Sequence, residues 1–71
     1  MNSMYVICIE HKDFSRHYVS GFDVAQGEVS ITKLGDAAEF GTITEVRDTL
    51  NVIRPIILEK WPQSEIYVDE V

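Results

Sequence analysis

This chain is short of cysteine, proline, glycine and positive charge, and each shortage removes a class of protein. One cysteine, Cys8, in 71 residues permits no intrachain disulfide, which excludes a disulfide-built secreted scaffold. Two prolines and four scattered glycines leave no polyproline linker and no glycine-rich loop that could cradle a phosphate. The apolar run from Met4 to Ile9 is too short for a signal-peptide core and lacks a basic flank, and no segment approaches a membrane span. A cytoplasmic protein without membrane contact is the expectation. Six basic against twelve acidic residues give a formal charge of −6 and a pI near 4.6. That sign repels phosphate backbones, so direct nucleic-acid binding is disfavoured and a basic protein surface is the favoured partner.

What is present organises as one domain over residues 1–71. Tyr5 to Glu10 is rich in β-branched and aromatic residues and reads as a strand, with Tyr5, Ile7 and Ile9 on one face and Val6 and Cys8 on the other. A polar turn at Lys12–Arg16 leads to a returning strand, His17 to Phe22. Glu28 to Lys33 alternates Val29 and Ile31 with polar residues, as a third, half-buried strand does. Ile43, Val46, Leu50, Ile53 and Ile57 then recur at steps of three and four, the face of an amphipathic helix. Thr42 and Glu45 have capping-box spacing: the hydroxyl accepts from the N–H of Glu45, and the carboxylate reaches back to the N–H of Thr42. Pro55 interrupts the stripe, so either the helix kinks between Asn51 and Pro55 or a second helix starts there. Glu65 to Val71 alternates again as a final strand. The expected fold class is α+β: a small antiparallel β-sheet of order β-β-β-α-β, with one Pro-kinked or broken amphipathic helix packed on one face. Phe40 is expected to plug the corner where the chain enters the helix.

Chemistry is thinly signalled. Cys8, His11, Asp13 and His17 surround the first hairpin, but their spacing matches no standard zinc site, and two solvated turn histidines beside a packed cysteine explain them. Cys8, His17 and Asp23 offer a nucleophile, a base and an orienting acid, yet nothing in their spacing brings them together. The expectation is no enzyme, no metal and no cofactor. Arg47, Asp48, Asn51 and Arg54 read as the solvated side of the helix.

The sharper feature is the sheet face away from the helix. If Ile7 and Ile66 face the helix, then Val6, Cys8 and Tyr67 face away. Tyr18 and Phe22 share one side of the second strand and Val19 takes the other, and which of them faces the helix is left open. With the aromatics outward, Val6, Cys8, Tyr18, Phe22 and Tyr67 form an uncovered apolar patch, the composition of a protein-binding site.

The segment Asp36–Val46, with Ala38, Phe40, Thr42 and Glu45 at the start of a helix, resembles a pattern in small early-gene products of bacteriophages. There it follows a Tyr-Val-Ile-type hairpin, here Tyr5-Val6-Ile7, and precedes a closing strand, here Ile66-Tyr67-Val68. Pro55 and the extension from Ile56 to Trp61 depart from the uninterrupted helix of that pattern. The resemblance implies an accessory protein that binds and blocks one host protein, such as a CRISPR effector or another defence or regulatory factor. It carries over no active-site residue. The reading from sequence is therefore a protein-binding module, with a homodimeric structural or regulatory subunit as the alternative.

Overall fold

The computed structural model describes residues 3–71. Strands β1 (Tyr5–Glu10), β2 (Arg16–Asp23), β3 (Glu28–Thr32) and β4 (Glu65–Glu70) form one antiparallel sheet in the order β3-β2-β1-β4, and an α-helix, α1 (Ile43–Lys60), crosses one face. β1 takes a central place because it alone is apolar on both faces: Val6, Ile7, Cys8 and Ile9 are all fully buried. The core lies between sheet and helix, where Ile7, Ile9, Val19 and Val29 meet Val46, Leu50, Ile53 and Ile57. Tyr5, Phe40, Ile66 and Val68 pack around it, so Phe40 does close the helix entrance.

Thr42 caps α1 with extended backbone, its hydroxyl accepting from the N–H of Glu45 at 3.1 Å. Of the expected reciprocal box, this is the half the structure forms. The helix runs through Pro55 without a break. A proline in a helix interior costs about 3 kcal/mol. Burying Ile57, with Ile56 and Trp61 packed beside it, offsets that at roughly 1.5–3 kcal/mol for each large side chain fully buried. Pro55 itself is exposed, so the Asn51 carbonyl that it leaves without a donor lies on the wet side. At the far end the N–H of Trp61 closes the last turn on the Ile57 carbonyl at 2.8 Å.

One irregularity changes which side chains share a face. Val19 pairs with Ile31, but Gly21 pairs with Ser30, so Ser20 is an extra residue bulged out of β2. Past a bulge the alternation is inverted. Phe22 consequently lies across from the core residue Val29, on the helix side, whereas Tyr18 lies across from Cys8 on the other. The expectation that Tyr18 and Phe22 share a face is corrected by that one inserted residue.

The connection from β3 to α1 fills a second irregularity. Beyond the Cys8–Tyr18 pair no further β1–β2 partners follow, and the chain between Lys33 and Thr42 takes their place. Ala38 donates its N–H to the Val19 carbonyl at 2.9 Å, and Phe40 exchanges both backbone bonds with Tyr5 at 2.8 and 2.9 Å. The backbone groups of that end of the sheet are thereby satisfied without a full strand.

Candidate functional site

The sheet face away from α1 is built in rows set by strand register. Cys8 has Tyr18 on one side and Tyr67 on the other. Glu10 has Arg16 and Glu65, and Val6 has Asp69. Val6 and Cys8 are outside the helix-side core cluster, as their parity requires, yet neither has any exposed surface. They are the floor of the face and cannot themselves touch a partner. Tyr67, 40% exposed, and the half-buried Tyr18 are what a docking molecule would meet.

Polar contacts hold this face in place. Arg16 grips Glu10 through Nη2 at 3.0 Å and Nε at 3.1 Å, and the Tyr67 hydroxyl donates to the Glu65 carboxylate. That bond to Glu65, then burial, raises the Tyr67 hydroxyl above its ordinary value, and burial does the same for Tyr18. Both rings therefore present neutral phenols at physiological pH. Burial, reinforced by the Asp69 carboxylate, also pushes the Cys8 thiol up, with the Tyr18 hydroxyl pulling the other way. A buried thiol held in its protonated form is a poor nucleophile.

The nucleophilic set conceivable from sequence does not assemble. His17 lies across from Ile9 on the helix side, so Cys8 and His17 point to opposite faces of the sheet. The same parity takes Cys8 away from the hairpin histidines. Among the described residues no group of three or more His, Cys, Asp or Glu side chains is placed to hold a metal ion.

The hairpin histidines are instead joined to the end of the helix. His11 Nε2 lies 2.9 Å from His17 Nδ1, and the His11 ring meets Trp61 edge-on with centroids 5.6 Å apart. These three line an open groove of about 590 Å³ that also holds Lys12, Lys60 and Asp13. Two hydrogen bonds from Ser15, hydroxyl and N–H, keep the Asp13 carboxyl below its usual range. In sequence alone these histidines read as solvated turn residues. Strand parity was the available signal, because His11 continues the Ile7–Ile9 side of β1 toward the helix end. At the tip of the same hairpin Phe14 adopts a left-handed backbone (φ 70°) and is 82% exposed, a prominent aromatic in what read as a polar turn.

Compared with known protein families, curated proteins and solved structures, the chain matches none.

Proposed function

We propose that this protein is a non-enzymatic protein-binding module that docks through the sheet face bearing Tyr18 and Tyr67. The observation that carries this reading is the asymmetry of the sheet. α1 roofs one face, while the other presents two tyrosines on a dry floor of Val6 and Cys8. Tyrosines of this kind bury large area at little conformational cost and are common interface anchors. Around them stand three carboxylates, Glu10, Glu65 and Asp69, against the single guanidinium of Arg16. Charge complementarity selects a basic partner surface, in keeping with the whole chain's −6. Occluding the basic working surface of a host defence or regulatory protein, in the cytoplasm of an infected bacterium, is the role that the resemblance to phage early products would give such a face.

The test is capture from bacterial lysate with the unaltered chain and with Tyr18→Glu, read quantitatively at two salt concentrations. The expected result is a defined basic protein that is retained by the unaltered chain, weakened by salt and lost on Tyr18→Glu. Equal capture by both forms would overturn the reading. A second reading, a self-assembling subunit, is favoured by a different feature, the edge of β4, which has no strand partner beyond β1 among the described residues.

A further inference from the structure

We propose that two copies of this chain join edge to edge through β4, extending the sheet across a two-fold axis at Val68. The inference deepens the second reading above and does not depend on the tyrosine face. β4 ends the sheet and, among the described residues, pairs only with β1. Val71 exchanges both backbone bonds with Met4, at 2.8 and 3.3 Å. In an antiparallel ladder this sets the alternation: Asp69, Tyr67 and Glu65 also turn their N–H and C=O groups toward β1. Ile66, Val68 and Glu70 turn theirs to the free edge. The far side of β1 agrees, because Tyr5, across from Glu70, gives both its groups to Phe40.

Acidic residues on an edge strand ordinarily discourage such pairing. One register escapes them. With Val68 opposite the partner's Val68, Ile66 meets the partner's Glu70, and all three outward-facing residues exchange backbone bonds. On the tyrosine side Tyr67 then meets the partner's Asp69, and Glu65 meets the partner's Val71. No carboxylate faces a carboxylate. Sliding two residues one way sets Asp69 against the partner's Asp69; sliding the other way sets Glu65 against it. Like charges directly opposite destabilise a ladder. Paired positions have the same parity, so both helices lie on one side of the joined sheet.

The helix side supplies the matching charge. Between α1 and β4 runs a groove of about 580 Å³, floored by Leu50, Ile66 and Val68 and flanked by Arg47 and Arg54. Neither guanidinium takes part in an ion pair among the described residues. α1 starts beside Phe40, at the Glu70 end of β4, and finishes at Trp61, near the Glu65 end. Arg54 lies seven residues beyond Arg47, roughly 10 Å along the helix axis, and so stands toward Ile66. The Val68 register delivers the partner's Glu70 to that position, and symmetry makes the contact twice.

Sedimentation velocity on the full chain tests this, with circular dichroism to confirm that each variant is folded. Arg54 and Glu70 are both exposed, so exchanging them should leave the protomer intact. The expected result is a concentration-dependent dimer whose dissociation constant rises about tenfold or more in Arg54→Glu and in Glu70→Arg. The chain carrying both changes should dimerise again. A monomer at every soluble concentration, a dimer indifferent to the single changes, or a double variant as weak as the singles would each overturn the proposal. Tyr18→Glu separates the two readings: it should abolish partner capture and leave the dimer intact, and loss of the dimer in that variant would place self-association on the other surface.

Discussion

Tyr18 stands directly across from Cys8 in the β1–β2 ladder, and both side chains lie on the face away from α1. With Tyr67 on the other side, Cys8 is left with no exposed surface. In the native protein the thiol should therefore resist a neutral-pH thiol reagent and react with one equivalent only after denaturation. Rapid labelling of folded protein would show that the two tyrosines do not shield it.

The same thiol makes stability depend on alkaline pH. Its folded value is raised above the ordinary 9.0, so on raising the pH the unfolded chain loses the proton first. Stability contributed by this group is complete below that ordinary value and declines as pH rises through the folded one. Tyr18 and Tyr67, raised from 10.0, act in the same direction at higher pH. Urea midpoints measured from neutral to alkaline pH should fall, and in Cys8→Ala the first part of the decline should be missing.

Thr42→Ala removes the hydroxyl that accepts from Glu45 N–H and should cost about 1 kcal/mol in urea unfolding. Glu45→Ala, which removes the only side-chain acceptor at this position, should change stability by only a few tenths of a kcal/mol, roughly the scale of an exposed dipole contact, because the carboxylate does not complete the box. Equal losses in the two variants would show that the reciprocal bond forms in solution.

Pro55→Ala restores a donor to the Asn51 carbonyl on the exposed side of a continuous helix. The variant should be more stable by about 1–3 kcal/mol, seen as a higher urea midpoint with the same slope. A loss of stability would mean that the ring packs against something the helix needs.

Ile53 is fully buried at the centre of the helix–sheet core. Ile53→Ala should cost about 2–5 kcal/mol, a large part of what so small a domain has. Phe22, 44% exposed at the rim beyond the bulge, should cost far less when cut to alanine. Phe22→Glu should also leave partner capture unchanged, since this side chain is on the helix side. If Phe22→Glu matched Tyr18→Glu, the bulge would not separate the two residues as described.

The sequence by itself determined the elements that follow from local periodicity. Ile43, Val46, Leu50, Ile53 and Ile57 specify a helical face, of which the structure buries all but Ile43 in the first turn; Thr42 specifies its start, and the β-branched run Tyr5–Glu10 specifies a strand. These are properties of neighbouring residues, and neighbouring residues are what a sequence displays. Tertiary structure alone decided the rest. Ser20 bulges because β3 offers one residue against two; Gly21 beside it is a local mark of a turn or bulge, but only the pairing with β3 places the extra residue. Pro55 is carried inside a continuous helix by burial contributed from the sheet. His11, His17 and Trp61 meet only because the helix ends over the first hairpin. The free edge of β4, and the arginines beside it, exist only once the last strand has joined the outer side of β1. In each case the deciding partner is distant in sequence, and its contribution becomes available only when the chain has closed on itself.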